Sequence, residues 1–433
     1  MLYHIITIGC QMNKADSERI ASFLDAHGYQ AKDSWLGVDL VILTTCGVRQ
    51  SAEDRVYGLV NRIRQSNPGA ALVITGCLAN RADVHRRLRG RVDLFMPINE
   101  LPNLFVLLKN CRQELTLSSE EVRKLSGEKY LTITPKYQSQ FTAYLPIGNG
   151  CNNFCSYCVV PYARGREVYR PATDIMREAK ALVKRGYKEI VLIAQNVNSY
   201  RSGTVDFPKL LQRLSLLPGD FWLRFSSSHP KDLSAELIKV LASSDKICHH
   251  LHVAVQSGDD EILRAMNRNY TAAHFSALIK KIRKAKPGVA ITTDVIVGFP
   301  GETKKQFQNS VKLFKDLQFD MAYTAQYSPR PGTASWKMED NVPRAEKRQR
   351  EQILTEILRK SGQKANKAYL KKEIKVLAEG RNKKNKYYGK SSSFKTILFN
   401  APTDLKPEEI IGNFVTVKIQ KIQDFGLEGV LIK

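Results

Sequence analysis

Gly150-Cys151-Asn152-Asn153-Phe154-Cys155-Ser156-Tyr157-Cys158 sets three thiols at a C-x3-C-x2-C spacing. Three thiolates on one short loop can each take one iron of a cubane, leaving the fourth iron open to chelate a small molecule. Zinc is the competing metal, but a structural zinc site takes four ligands, and no fourth Cys or His lies nearby in sequence. A second set is spread more widely: Cys10, Cys46 and Cys77 each follow a short apolar run. Any one of them alone reads as a buried core thiol. Together, at the ends of three parallel strands, they would line one edge of a sheet, again three ligands with an open iron. The other two cysteines, Cys111 and Cys248, share no such pattern and are expected to pack. Eight cysteines in a 433-residue chain, without disulfide-type spacing, point to the reducing cytoplasm, where thiols serve metal or catalysis.

The elements that must position these thiols follow from periodicity. Three apolar, β-branched runs precede Cys10, Cys46 and Cys77, and amphipathic stretches at 15–27 and 52–65 follow the first two. Continuous apolar strands alternating with helices predict a parallel α/β sheet buried on both faces, with its ligand site at the carboxyl ends of the strands. This is the expected N-terminal domain, 1–115. Residues 112–142 form a polar connection, in which Ser118-Ser119-Glu120-Glu121 is read as opening a short helix. A second alternation then begins, with strands expected at 143–147, 189–194, 222–227, 250–255, 291–297 and 321–327. Helices are expected at 172–185, 233–241, 274–286 and 304–317, and a long charged helix at 344–372. Six β/α units predict a partial or full barrel over 137–367, with the 151–158 loop after its first strand, at the end where barrel sites lie. Short strands separated by Gly, Pro and Asn predict a small β-barrel at 370–433. The fold class is α/β throughout, ending in this all-β module.

The net charge of +25, with a hydrophobic fraction of 43%, describes a globular chain suited to a polyanionic partner, of which nucleic acid is the commonest. The alternative is a merely basic soluble enzyme. Residues 361–433 hold 15 Lys and Arg against 7 Asp and Glu, so the small barrel carries its own surplus. No run approaches the roughly 18 consecutive apolar residues of a membrane span, and the N-terminus has no basic region or cleavage-type stretch, so neither membrane nor signal peptide is expected.

An aromatic just before the last cysteine gives the 151–158 loop a resemblance to the radical S-adenosylmethionine superfamily. The resemblance extends along the chain. Gly9-Cys10-Gln11-Met12-Asn13 with Asp16-Ser17-Glu18, and Thr45-Cys46-Gly47-Val48-Arg49 with Ala52-Glu53, are similar to motifs of the methylthiotransferases. The run from Cys158 through Pro161-Tyr162-Ala163-Arg164-Gly165-Arg166-Glu167 resembles their tRNA-modifying branch, the MiaB proteins. Ala194-Gln195-Asn196-Val197-Asn198-Ser199-Tyr200, Ser228-His229-Pro230, Val255-Gln256-Ser257-Gly258 and Val297-Gly298-Phe299-Pro300-Gly301-Glu302-Thr303 fit as well. The basic end barrel looks like a TRAM domain. Two positions depart from the pattern: Thr44 stands where asparagine is usual, and Asn149 where an acid is common. Neither is a ligand position.

The resemblance implies two [4Fe-4S] clusters, on Cys151, Cys155 and Cys158 and on Cys10, Cys46 and Cys77. S-adenosylmethionine would bind the open iron of the first through its amino and carboxylate groups and be cleaved by one electron to a 5′-deoxyadenosyl radical. The substrate implied is N6-dimethylallyladenosine beside the tRNA anticodon. Hydrogen would leave adenine C2, sulfur would come from the second cluster, and the methyl group from a second S-adenosylmethionine. An unactivated C–H bond offers no handle to acid–base chemistry, so a cofactor must carry the hard step. The implied partners are the tRNA anticodon stem-loop, an electron donor protein and a sulfur source, with the enzyme a monomer. Within the family, the rival substrates are threonylcarbamoyladenosine in tRNA and a ribosomal-protein aspartate. Outside it, the rival is a non-catalytic iron–sulfur RNA-binding protein, in which two open irons would have no use.

Weaker candidates carry two readings each. Tyr157 contacts the adenine of S-adenosylmethionine or packs its loop. Gln195 and Gln256 end barrel strands and bind S-adenosylmethionine or base, or cap loops. Lys383, Lys384 and Lys386 with Tyr387 and Tyr388 grip RNA backbone and stack a base, or form a solvated hairpin. Gly298 to Gly301 reads as turn chemistry. His249, His250 and His252 alternate across a strand, cannot all face one ion, and are read as structural.

Overall fold

The three runs that precede Cys10, Cys46 and Cys77 are neighbouring parallel strands. In the computed structural model, which describes residues 1–112, 130–402 and 404–432, they are β1 (Leu2–Thr7), β3 (Leu40–Thr45) and β4 (Ala71–Gly76). They are flanked by β2 (Gln30–Ala31) and β5 (Leu94–Phe95). The sheet order is β2-β1-β3-β4-β5, with Ile5 opposite Ile42 and Ile42 opposite Val73. Side chains on a strand alternate between faces, so β3 feeds two cores. Leu40 and Ile42 meet Ile20, Phe23 and Leu24 of the helix Gln11–Ala26. Val41 and Leu43 meet Val56, Leu59, Val60 and Ile63 of the helix Gln50–Ser66. At about 1.5–3 kcal/mol for each fully buried aliphatic side chain, burial on both faces fixes the strand ends. The helix expected at Ser118-Ser119-Glu120-Glu121 lies outside the described residues.

Two compact units divide the chain by spatial proximity rather than by sequence order. The first gathers Met1–Gln138, Gly148–Arg170 and Ser328–Lys337; the second gathers Ser139–Ile147, Pro171–Tyr327 and Met338–Lys433. The first unit therefore adds to the N-terminal sheet the whole 151–158 loop. That loop is closed at its base by the antiparallel pair β7 (Gly148–Asn149) and β8 (Val168–Tyr169).

The second unit opens with β6 (Thr142–Pro146), β9 (Glu189–Ile193) and β12 (Trp222–Phe225), parallel in the order β12-β9-β6. A small hairpin, β10 (Arg201–Ser202) with β11 (Val205–Asp206), intervenes. β13 (His250–His252), β14 (Ala290–Val297) and β15 (Met321–Gln326) form a second parallel trio. Parallel bridges Leu223 to Ile247 and Ser228 to Val253 join the trios into a six-stranded partial barrel. Helices connect the strands, among them Ala172–Lys184, Ala272–Ala285 and Lys304–Leu317. The last begins with a capping box between Thr303 and Gln306, which satisfies free amides of the first turn.

The charged helix Arg344–Lys367 leads to a closed barrel of β16 (Glu373–Arg381), β17 (Tyr387–Ser391), β18 (Thr396–Asn400), β19 (Phe414–Ile422) and β20 (Gly426–Leu431). The parallel pair β18–β20 closes it around Val376, Ile397, Phe399, Val417 and Leu427. β17 is not anticipated by the sequence pattern. The barrel packs within its unit: Cys248 is buried with Trp222 against Leu377, and His250 stacks on Phe394 at 4.8 Å. Cys248 thus packs as expected. Cys111 does not: it is exposed. Its helical face runs from buried Leu104 through half-buried Leu107 and Leu108, and has passed the core by the last turn. Among the described residues no helix is long and apolar enough to cross a membrane.

Candidate metal centre

Each N-terminal thiol leaves its strand at the same end of the sheet. Cys46 and Cys77 directly follow β3 and β4, and Cys10 follows β1 by three residues. The backbone knits these ends together. Ile8 N donates to Thr44 O at 2.9 Å, and Cys77 N to Thr45 O at 2.9 Å. Thr45 Oγ1 donates to Thr75 O at 2.6 Å. Gly9 explains how closely the first loop approaches the second. Its φ is +120°, and a Cβ there would lie 2.5 Å from Cys46 Cβ. Only glycine fits that conformation and that gap. Thr44, one of the departures from the family pattern, meets Ser17 Oγ at 3.0 Å in the same layer.

Cys46 and Cys77 are buried and Cys10 is exposed. Cys46 lies within electrostatic reach of both Cys77 and Cys10. In the 151–158 loop, Cys158 N donates to Cys155 O at 2.9 Å, and Cys151 N is held by Gly165 O at 3.1 Å. Gly150, at φ +87°, lets that loop lie against Arg166, whose carbonyl oxygen would be 2.1 Å from a Cβ. Cys158 interacts electrostatically with Cys155 and Cys151 and also with Cys77, so the two sets are close neighbours. Desolvation pushes the Cys46, Cys151 and Cys158 thiols above the ordinary thiol range. Thiolate ligands must be deprotonated, so metal binding here would release protons. Among the described residues no three His, Cys, Asp or Glu side chains converge on one ion position. Three thiols in each set are the donor type and number that suit an iron–sulfur cluster with one open iron.

Buried arginines lie near the N-terminal sulfurs, Arg164 by Cys10 and Cys77 and Arg330 by Cys46. Arg164 donates to Asp16 Oδ2 at 2.8 Å, Asn13 Oδ1 at 2.8 Å and Asn149 Oδ1 at 3.0 Å. The other departure, Asn149, is thus an acceptor for this guanidinium. Burial disfavours the Arg164 charge, but Asp16, Cys77 and Cys10 outweigh it and hold the group charged. Glu53 accepts from Arg81 at 2.6 Å and from Tyr57 Oη at 2.6 Å. Asn80 Nδ2 donates to Ala163 O at 2.9 Å, a further tie between the Cys77 loop and the helix Val160–Arg164. Sequence spacing assigns these partners no role. One signal is present in it: an acid follows each cysteine at six or seven residues, as Asp16, Glu53 and Asp83. Each is ion-paired to arginine.

The weaker candidates are dispersed. Tyr157 is half-buried in the first unit. Gln195 and Gln256 belong to the second. Gln195 is half-buried two residues past β9, while Gln256 is buried at φ +71°, with its N on Asp294 O at 2.8 Å. Ser227, past β12, is also left-handed at φ +69°. Strained non-glycine backbone at these strand ends is a signal that sequence spacing does not carry. His250 and His252 share a face of β13 and both meet Thr292 Oγ1, at 2.9 and 3.0 Å. On the end barrel, Lys383 and Lys384 are exposed in the β16–β17 turn, whereas Lys386 is ion-paired to Glu428. Tyr387 corrects the sequence reading. It is 5% exposed and stacks on Phe399 at 5.7 Å inside the barrel, so it presents no face to a base. Strand alternation sends Tyr387 inward and leaves Tyr388 half-buried on the other side.

Comparison with known proteins agrees along the whole chain. Residues 145–314 match the Radical SAM superfamily, and residues 2–96 match the uncharacterized protein family UPF0004. A protein of Clostridium novyi named tRNA-2-methylthio-N(6)-dimethylallyladenosine synthase is 39% identical over 99% of this chain and 96% of its own. One of the same name from Carboxydothermus hydrogenoformans is 39% identical over 99% of each. Among solved structures, the radical S-adenosylmethionine methyltransferase TsrM from Kitasatospora setae, with cobalamin and a [4Fe-4S] cluster bound, shares the fold. Its TM-score is 0.55 at 14% identity, over 77% of this chain and 76% of that one.

Proposed function

The chain belongs to the family of tRNA-2-methylthio-N(6)-dimethylallyladenosine synthases, and we propose on that footing that it adds a 2-methylthio group to N6-dimethylallyladenosine beside the anticodon of tRNA. It is a radical S-adenosylmethionine enzyme, with S-adenosylmethionine and a [4Fe-4S] cluster as cofactors. Cys151, Cys155 and Cys158 hold that cluster in this reading, and Cys10, Cys46 and Cys77 hold a second. When bound, the cofactors supply a one-electron cleavage of S-adenosylmethionine, a transferable sulfur and a methyl group, chemistry that acid–base side chains cannot offer at an aromatic C–H bond.

The chain's own residues bind, orient and exclude water. Arg164 ties the Cys10 helix to the 151–164 segment and sets a positive charge beside Cys10 and Cys77, where thiolate ligands accumulate negative charge. Gly9 lets the first two cysteine loops close on each other. Tyr157 contacts the adenine of S-adenosylmethionine, and Gln195 and Gln256 contact S-adenosylmethionine or base. Lys383 and Lys384 contact tRNA phosphates from the TRAM-like barrel, with Lys386 in a lesser part because Glu428 already neutralises it. An electron donor protein and a sulfur source complete the partner set.

The observation that carries this reading is that all six cysteines fall in one compact unit, with Cys77 and Cys158 in electrostatic reach of each other. The test is to incubate reconstituted protein with dithionite, S-adenosylmethionine and tRNA bearing N6-dimethylallyladenosine. Products are then read by mass spectrometry of nucleosides. Formation of 5′-deoxyadenosine and the 2-methylthio nucleoside supports the proposal. Absence of 5′-deoxyadenosine from protein with intact clusters would sink it, and a product only on threonylcarbamoyladenosine would move the substrate.

A further inference from the structure

The segment Ser328–Lys337 supplies no cysteine, yet it touches both cysteine sets. At one end is Arg330, 5% exposed. Its Nη2 donates to Val48 O at 3.1 Å, two residues past Cys46, and its Nη1 donates to Gln50 Oε1 at 2.7 Å. The same nitrogen lies 3.4 Å from Glu53 Oε2, and the guanidinium is in electrostatic reach of the Cys46 sulfur. At the other end, Ser335 N donates at 2.8 Å to the carbonyl of Ser156, between Cys155 and Cys158. The two ends are held in one shape. Thr333 Oγ1 donates to Arg330 O at 2.8 Å, and Thr333 and Ser335 are both buried.

Glu53 is shared by two guanidiniums, Arg330 and Arg81, and Arg81 also takes Asp83, so two cations face two anions inside the protein. Such an arrangement adds little net stability over an apolar equivalent, because desolvation offsets the attraction. What a planar guanidinium fork does supply is direction: it fixes the angle and distance of the backbone it binds.

We propose that Arg330 is a positioning residue that pins Ser328–Lys337 as a strap across the two cysteine sets. The strap sets their spacing and so couples S-adenosylmethionine cleavage at one to sulfur insertion at the other. This rests on the two-cluster reading under Proposed function. Loosening the strap leaves each set its ligands but separates their actions, so S-adenosylmethionine is cleaved without product.

The experiment compares the parent with Arg330→Ala, Arg330→Lys and Ser335→Pro. The last removes the amide donor together with the buried Ser335 hydroxyl, at a position early in the short helix Ala334–Lys337 where proline is tolerated, and Ser335→Ala, which removes the hydroxyl alone, is its control. Two quantities are read: 5′-deoxyadenosine formed per 2-methylthio nucleoside in reconstituted enzyme, and alkylation rates of individual cysteines in metal-free protein, by mass spectrometry. In Arg330→Ala and Ser335→Pro the first ratio rises by about tenfold to a hundredfold, the scale expected of a small misplacement of reacting groups. Arg330→Lys, which keeps the charge and loses the fork, restores it in part. Cys46 alkylates faster in the metal-free Arg330→Ala protein while exposed Cys10 does not. An unchanged ratio, or a proportionate fall of both products, overturns the strap. A parent that makes 5′-deoxyadenosine and product but keeps both after Cys10, Cys46 and Cys77 are all replaced overturns the two-cluster reading itself, and the strap with it.

Discussion

Arg164 and Asp16 are 148 residues apart in sequence and 2.8 Å apart in space, and each side chain is 2% exposed. Removing one partner of such a pair strands the other as an unpaired buried charge. Arg164→Ala is therefore expected to destabilise the metal-free protein by about 3–5 kcal/mol, and Asp16→Ala/Arg164→Ala by much less than the two single changes together. Urea unfolding of the four proteins closes the cycle. Additive losses would mean that the pair carries no coupling.

The two cysteine sets should separate by function. Cys46→Ala is expected to lose about half of the iron of the parent, to keep making 5′-deoxyadenosine, and to make no 2-methylthio nucleoside. Cys155→Ala should lose both products. Iron analysis, electron paramagnetic resonance and nucleoside mass spectrometry provide the readout. Normal methylthiolation by Cys46→Ala would remove that thiol from the ligand set.

Binding of tRNA should weaken steeply with salt. Deleting the end barrel is a poor way to locate the RNA-facing lysines, because that barrel covers Trp222 and Cys248, and its Phe394 lies over His250. Charge reversal is cleaner. Lys383→Glu/Lys384→Glu is expected to bind more weakly and to flatten the slope of log affinity against log salt by about 0.7–0.9 for each phosphate no longer neutralised. Lys386→Glu should do less. Equal slopes for parent and double variant would place the RNA elsewhere.

Acid should destabilise the second unit through His229. Burial, with Arg268 and Lys231 adding to it, lowers this imidazole from 6.5 to about 2, and its Nδ1 accepts from Lys231 N. The unfolded chain takes up a proton near pH 6.5 that the folded chain refuses. Stability from this group is thus complete above about pH 6.5 and falls as pH drops towards 2, by up to about 1.4 kcal/mol per pH unit. Urea midpoints at successive pH values should converge for parent and His229→Asn as pH falls below 6.5. Parallel curves would show that His229 does not carry the dependence.

The strand ends that carry Cys10, Cys46 and Cys77, and the six-strand alternation, are legible in the sequence because both are local patterns of apolar residues. Strand β17 is not: Tyr387-Tyr388-Gly389-Lys390-Ser391 has the look of a sticky loop, and its place is fixed by pairing with β16 and β18. The same ambiguity makes the core residue Tyr387 look like a base-stacking candidate. Cys111 escapes the pattern because helical periodicity does not say where a core ends. The arginine partners are illegible in another way. Arg330 lies 277 residues from Glu53, and no spacing rule reaches that far.

The first unit is assembled from three separate stretches of chain, the last of which ends at Lys337. A growing polypeptide presents Cys10, Cys46 and Cys77 early, but the stretch that carries Arg330 is complete only some 260 residues after Cys77. At roughly 5–20 residues per second this is a delay on the order of tens of seconds. During that interval the thiols of the sheet edge wait first for Arg164 and then for Arg330. In the two-cluster reading, iron delivered before translation has passed Lys337 meets Cys46 before Arg330 is there to hold its loop.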